Sequence, residues 1–563
     1  MIVVASSITD QPLPDFDIAI VGSGAVGVAV ATRLAGRAGK IALIEAGGPR
    51  MESRVQSRYF KEHSLSDERH PSTVLYRRRM LGGTTSVWGG RCIPLDAEDF
   101  EAGPRSPAWP ISYDEVRRWT ADALHYLQAG EDDFSTGALP ASMNLPCVEG
   151  IRDPDILLDR IERFSEPTDV WRKWGQALVK SENIVVLQGA ACTNIRTNPD
   201  AKRVTGLDLR TESGQLLQLK TSTVVLACGG LETPRLLLAS RDRLSCGLGN
   251  EHDLVGRFYM THVGGTVATL RFRDPAADRC FDYARTAEGI YARRLIKLSP
   301  EARERGEIGN IVFRPNIHPI TDPSHGDSIL SAMAFAKKLV IPEYSRKLVL
   351  GASDRGTPAQ LFLRHGINIA TGVPRLMNFG FDWLRRRILA TRKLPSVFLL
   401  RRDATYPLAF DAEQSPDPDS RVSLGASADP HGMPRLAIRW RIGDADFASI
   451  ERAHDVLAAA LERSGLGDLG LKPHMAEELR EAVGPVGGHH MGTARMGSDP
   501  RTSVVDTNGE LWNTKGVFVA GGAMFPSSGF ANPTLSAVDL ALRMAEHLKR
   551  EPLSVRAGVE ATC

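Results

Sequence analysis

Two groups of residues in this 563-residue chain could do chemistry, and they lie near its opposite ends. Close to the start, Gly22, Ser23, Gly24, Ala25, Val26 and Gly27 spell a GxGxxG turn, and Glu45 follows roughly 20 residues on. Glycines at that spacing allow a sharp turn, close approach of backbone to a pyrophosphate, and tight packing of a helix on a sheet. The helix behind such a turn offers unpaired N–H groups and a partial positive charge to phosphate. An acid at the position of Glu45 accepts hydrogen bonds from a ribose diol, which argues against NADP and leaves NAD and FAD open. Near the other end, the run Gly487 to Gly497 (GGHHMGTARMG) holds adjacent histidines, His489 and His490. The run Phe525 to Ser536 (FPSSGFANPTLS) then leads into a long helical pattern. The paired carboxyl or thiol arrangements that glycosidase or cysteine chemistry would need are not apparent.

These residues need particular elements to hold them. The apolar run Ile18 to Val21, the alanine-rich pattern of Val26, Val30 and Leu34, and the run Ile41 to Ile44 read as strand, helix and strand. A second such run, Ser222 to Leu238 (STVVLACGGLETPRLLL), reads as a buried strand, a glycine pair and a helix. Thr233 is its expected N-cap and Pro234 its first residue. It returns to the nucleotide-binding sheet, so that lobe is discontinuous in sequence. Between the two, Arg77 to Cys92 (RRRMLGGTTSVWGGRC) packs Gly82, Gly83, Gly89 and Gly90 around Thr84, Ser86, Val87 and Trp88. So many glycines predict backbone lying flat against a bulky ligand. The last helix carries Leu535, Val538, Leu542, Ala545 and Leu548 on one face, with Asn532 expected as N-cap and Pro533 at its first position.

The remainder of the chain reads more coarsely. Residues 1 to 15 look like a loose lead-in, and residues 100 to 180 carry amphipathic helices, Tyr113 to Leu127 and Val170 to Val179 among them. From about 260 to 480, period-2 runs such as Gly265 to Phe272 and Leu436 to Trp440 predict a mostly antiparallel sheet with helices. Within it, Arg375 to Arg402 sets eight basic residues against one acid, Asp382, with Leu376, Phe379, Trp383 and Ile388 interleaved. Such a stretch could lie on an anionic membrane surface, and the plainer reading is a lobe helix with a solvated basic face. The composition, 42% apolar and 24% charged with net charge +2, gives no reason to propose nucleic acid as a partner. Seven scattered cysteines without CxxC spacing suit reduced thiols rather than a disulfide framework or zinc site. No signal sequence and no span of 18 apolar residues is evident, which points to the cytoplasm with room for a peripheral contact at the inner membrane surface.

GSGAVG, the GGTTSVWGG loop, VVLACGGLETPRLLLAS and HHMGTARMG followed by NPTLS together resemble the glucose–methanol–choline (GMC) family of FAD-dependent oxidoreductases. The resemblance runs in order over nearly the whole chain. It implies an α/β plus α+β architecture, a discontinuous Rossmann-like FAD-binding lobe with a substrate lobe built on an antiparallel sheet covered by helices. The expected division is 1–105, 184–258 and 481–563 for the FAD lobe, 106–183 for a peripheral segment and 259–480 for the substrate lobe. By the same resemblance His489 is the catalytic histidine and Asn532 its partner, with His490 an added candidate. The expected cofactor contacts are Gly22, Ser23, Gly24, Val26, Gly27, Glu45, Gly82, Gly83, Thr84, Ser86, Val87, Trp88, Gly89, Cys192, Gly229, Gly522, Ala523, Asn532, Pro533 and Thr534. Several relatives bind flavin covalently through a histidine in the glycine-rich loop. That position matches Val87 here, so noncovalent FAD is expected.

The implied reaction is oxidation of a CH–OH group, with a sugar or glycoside favoured and oxygen, a quinone or a protein as acceptor. A neutral imidazole can take the hydroxyl proton, and an amide N–H can hold the alkoxide. The alternatives are a hydroxynitrile-cleaving lyase on the same fold, or a flavin-binding protein without catalysis. Glu413 and Gln414 could reach the pocket, Arg495 could meet a flavin phosphate or an acid, and His262 reads as structural, at the lobe junction.

Overall fold

Strand Phe16–Val21 lies in the middle of a parallel sheet whose neighbours come from all over the chain. On one side stand Ile41–Glu45, Ile184–Gln188 and Ile2–Val4; on the other stand Leu216–Leu226 and then Val517–Val519, all paired in parallel. Every residue of Ile41–Glu45 is buried, as a parallel strand covered on both faces requires. The first half of Leu216–Leu226 turns away to form an antiparallel hairpin with Val204–Thr211, which pairs with Ala190–Thr197. Helix Ala25–Leu34 makes the crossover from the central strand and packs against the last helix, Thr534–Arg550. The computed structural model describes residues 1–9, 13–37, 39–103, 105–166, 168–337, 356–471 and 475–550. Cys563 and part of the expected N-terminal lead-in lie outside the described residues.

A second sheet, wholly antiparallel, runs in the order Gly467–Leu471, Val263–Phe272, Thr405–Ala412, Ile311–Pro315, Ile296–Leu298 and Ile156–Leu157. Helix Asp444–Ser464 covers it with Phe447, Ile450, Ala453, Leu457 and Leu461. His454 of that helix is a core residue: it bonds Ile450 O at 2.7 Å, and its ring meets Phe313 and Phe410 edge-on. Two smaller sheets join the layers, and one places Ile161–Phe164 between Arg91–Cys92 and Tyr291–Arg294.

Three local expectations are corrected. Residues Ile2–Val4 are an edge strand rather than a loose lead-in, because Ile184–Gln188 offers them an open sheet edge. The helix after Cys228 spans Gly229–Ala239, so Pro234 sits inside it and Thr233 is not its cap. An interior proline leaves the carbonyl four residues back without its N–H. Here Thr493 Oγ1 donates to Gly230 O at 2.7 Å and fills that vacancy from the distant GTARMG segment. The last helix begins at Thr534, its first turn closed by Ala537 N donating to Pro533 O, so Asn532 stands two residues ahead of it.

Candidate active site

A cavity of about 1230 Å³ runs between the parallel sheet and the antiparallel one. Pockets for a single small ligand occupy ~300–1000 Å³, so this one has room for a dinucleotide and a second molecule. At one end the glycine turn closes over the helix N-terminus. Gly22 has φ +105°, and a Cβ there would press on the carbonyl of Ala227. A Cβ on Gly27 would overlap the carbonyl of Gly22. A Cβ on Gly24 would meet nothing, because that position faces open space beside the first N–H groups of Ala25–Leu34. This is the division of labour a pyrophosphate site requires. Replacing Gly27 by Ala should therefore weaken cofactor retention about 5–150-fold, the equivalent of the 1–3 kcal/mol that overpacking costs. Flavin content after dialysis would read the loss.

Glu45 lines the cavity at the end of its strand. Its carboxylate accepts from Ser23 Oγ at 2.7 Å, Ser23 N at 3.2 Å and Gly47 N at 2.8 Å. Burial raises its pKa, while those donors oppose the rise. The acid thus braces the glycine turn, a task the sequence pattern did not foretell. Gly83, Thr84, Ser86, Val87, Trp88, Gly89, Cys192, Gly229, Gly522, Asn532 and Thr534 line the same cavity with Gly22, Ser23, Gly24 and Val26. Gly27, Gly82, Ala523 and Pro533 do not. A Cβ on Gly82 would press on the side chains of Asp169 and Trp171, and one on Gly90 on Ser165, so packing within the protein accounts for part of that loop's glycine content. Trp88 Nε1 ties the loop down by donating to Thr168 O at 2.9 Å. Burial pushes the Cys192 thiol up to about 12, which keeps it protonated.

The two terminal motifs meet at the other end. His489 lines the cavity, and its Nε2 is 3.1 Å from Asn532 Nδ2. Its Nδ1 is 2.8 Å from Nδ1 of His262, which is wholly buried, and His262 Nε2 lies 3.1 Å from Ser528 O. The carbonyl at its end sets the order of donors along this chain. A carbonyl can only accept, so His262 Nε2 carries hydrogen. Burial lowers the pKa of His262 and keeps it neutral, leaving its Nδ1 bare. His489 Nδ1 must then donate, and in neutral His489 the Nε2 lone pair accepts from the amide of Asn532. An alcohol oxygen that took the place of their mutual bond would donate to His489 and accept from Asn532.

His262 thus links the carbonyl of Ser528 to His489, a contact its place at the junction did not foretell. Replacing it by Phe should slow flavin reduction about 10–100-fold, the usual cost of losing a group that orients a working histidine. The pH profile should shift with it and KM should hold, which a packing defect alone would not produce.

His490 is corrected. It faces away from the cavity, with Nδ1 2.7 Å from Tyr259 Oη and its ring stacked on His70. Burial holds its pKa well below the ordinary value, so it is a neutral structural histidine. Glu413 accepts from Asn310 N at 3.0 Å, Gln414 Oε1 accepts from Thr261 N at 2.9 Å, and neither lines the cavity. Arg495 lies over the Phe258 ring at 3.5 Å and donates to Thr502 O, away from any phosphate site.

One feature of the wall escaped sequence reading. Arg91, Arg293, Arg314 and Asp411 line the cavity around Glu162, which is fully buried behind them. Glu162 receives Arg293 at 2.7 Å, Arg314 at 2.9 Å and Arg91 at 3.0 Å, and Arg314 also bonds Asp411 at 2.6 Å. Only the direct cross-strand pairing of Arg293 with Glu162 has a local origin.

Family models described as GMC oxidoreductase match residues 162–264 and 416–541. The chain belongs to the GMC oxidoreductase family. This GMC oxidoreductase is 21% identical to the 2-methyl-1,2-propanediol dehydrogenase of Mycolicibacterium austroafricanum, over 95% of each chain. It is 36% identical to a C-glycoside 3-oxidase of Microbacterium trichothecenolyticum, but over only 23% of this chain and 24% of that one. The crystal structure of a pyridoxine 4-oxidase from Mesorbium loti superposes with a TM-score of 0.56 at 17% identity, covering 95% of this chain and 99% of that one. Members of the family are FAD flavoproteins, and the open cradle at Gly24, the helix N-terminus behind it and the size of the cavity fit that cofactor.

Proposed function

We propose that this oxidoreductase oxidises the CH–OH group of an alcohol, with a sugar or glycoside as the favoured class, and that His489 is the base. The observation that carries the reading is the chain from Ser528 through His262 to His489, a residue that lines the cavity, which makes Nε2 the accepting nitrogen of His489 and sets it 3.1 Å from the amide of Asn532. Bound FAD supplies the hydride acceptor. The chain's own residues do the rest. His489 Nε2 takes the hydroxyl proton, and Asn532 Nδ2 holds the oxygen as it becomes negative. Its N-terminus places Thr534 at the cavity, so helix Thr534–Arg550 directs its positive end toward charge developing there.

The glycine turn and the N–H groups of Ala25–Leu34 would hold the pyrophosphate, with Glu45 at the ribose. With Val87 where relatives carry a bonding histidine, the cofactor is held noncovalently. The sugar preference draws on the partial likeness to a C-glycoside 3-oxidase. Oxygen, a quinone or a protein takes the electrons, and the basic stretch 375–402 gives the reading a peripheral contact with an anionic membrane. Anaerobic mixing with a panel of simple alcohols, aldoses and glycosides tests the substrate class. Bleaching of the flavin by at least one sugar is expected, and bleaching by none would remove the preference. Reoxidation of the bleached protein by oxygen or by a quinone identifies the acceptor.

A further inference from the structure

Eighteen large hydrophobic side chains are exposed among the described residues, and ten of them belong to one surface element. That element is helix Pro358–Thr371, helix Val373–Trp383 and the π-helical run Leu384–Leu389. Its inner side rests on Ile329, Leu330 and Leu399 through Leu376 and Phe379. Only His365 is buried; Phe381 and Leu389 are each 73% exposed, Met377 70% and Phe362 67%. An apolar face of this kind marks a contact with something other than water.

Two further observations say what that something is. From Arg364 to Arg402 the sequence holds nine Lys and Arg against Asp382, which pairs with Arg386 at 3.2 Å; Asp327, Glu166 and Asp403 from outside the segment pair with Arg375, Arg392 and Arg401, and the balance stays positive. In a two-fold dimer through this face the same basic surface would meet itself. An anionic occupant is favoured instead. The face also borders the cavity: Trp383, Arg387 and the run Lys393 to Val397 line it, together with Met333. No helix among the described residues is long and apolar enough to cross a membrane, whereas a short amphipathic one with an edge Trp can lie in its interface.

We propose that residues 358–389 are a bilayer-docking face that sets the cavity mouth on the lipid, so that a membrane-dissolved quinone reaches the site from the bilayer. This rests on the membrane contact in the reading above and adds to it an apolar insertion and a route. The electrons balance: oxidising CH–OH to a carbonyl releases two electrons and two protons, and the quinone takes up both to become the quinol.

The FAD-loaded full chain is floated with phosphatidylcholine vesicles, with and without phosphatidylglycerol. The wild type rises with the anionic vesicles at low salt, and several-fold less with the neutral ones. The double variant Phe381→Glu, Leu389→Glu loses at least tenfold of that binding. Anaerobic flavin reduction by a water-soluble alcohol is unchanged in the variant, which reads the chemistry separately. Turnover with a vesicle-dissolved quinone falls about tenfold in the variant, and turnover with a water-soluble quinone stays. Wild type that remains in the pellet, or a variant that floats equally well, overturns the docking face. So does a wild-type dimer that the variant breaks, which would assign the face to a second copy. Equal turnover losses with both quinones overturn the route.

Discussion

Replacing His489 by Ala leaves a yellow, folded protein whose flavin is reduced by alcohol about 10²–10⁴-fold more slowly, the range that general-base catalysis contributes. The expectation follows from which nitrogen of His489 is the acceptor. In the wild-type chain, Ser528 O fixes the hydrogen on His262 Nε2, and His262 in turn fixes the hydrogen on His489 Nδ1. Nε2 is then the accepting nitrogen, and in the proposed reaction it takes the hydroxyl proton while Asn532, 3.1 Å away, holds the oxygen. With Ala at 489 the amide remains but nothing accepts the proton. The glycine turn lies at the far end of the cavity, so flavin content should not change. Stopped-flow reduction under anaerobic conditions, alongside the flavin absorbance of the purified variant, separates lost chemistry from lost cofactor. Full activity in the variant would remove His489 as the base.

Replacing Glu162 by Ala destabilises the protein by about 3–5 kcal/mol, the cost of breaking a buried ion pair from one side. Three guanidiniums converge on this carboxylate, and Asp411 alone would be left to face them. Burial by itself raises the pKa of Glu162, but Arg314, Arg91 and Arg293 outweigh it and bring it down to about 2. A carboxylate depressed in the folded state contributes stability above its unfolded pKa of about 4.3, and that stability disappears as pH falls toward 2. Denaturant midpoints between neutral pH and pH 2 should therefore show an acid-labile component in the wild type. Glu162→Gln should flatten it. An unchanged acid limb in the Gln variant would show that the cluster stores no such energy.

Residue type and spacing made the glycine turn and the acid behind it legible, and the resemblance to the GMC family singled out His489 and Asn532. Each is constrained by what it would touch, and local pattern carries that constraint. The proton chain was not legible. His262 meets His489 only because Gly484–Pro485, just ahead of the GGHH segment, pairs with the start of Val263–Phe272, and nothing near His262 in sequence announces it. Pro234 shows the same limit at the backbone level: the local rule places proline at a helix start, and Thr493, from a remote segment, lets it sit inside. Glu162 and its arginines come from four separate strands or loops, so their charges cancel only in the folded chain. The basic stretch after Arg375 was visible as charge. That its apolar residues face outward required the fold.

The proposed reaction breaks a C–H bond at the carbon whose hydroxyl proton goes to His489. Anaerobic reduction of the flavin by a reactive alcohol, measured with hydrogen and then deuterium on the carbinol carbon, tests this most directly. Bleaching that is several-fold slower with the deuterated alcohol is the predicted result. Substrate consumed by cleavage while the flavin stays oxidised, or bleaching at the same rate with either isotope, would contradict it.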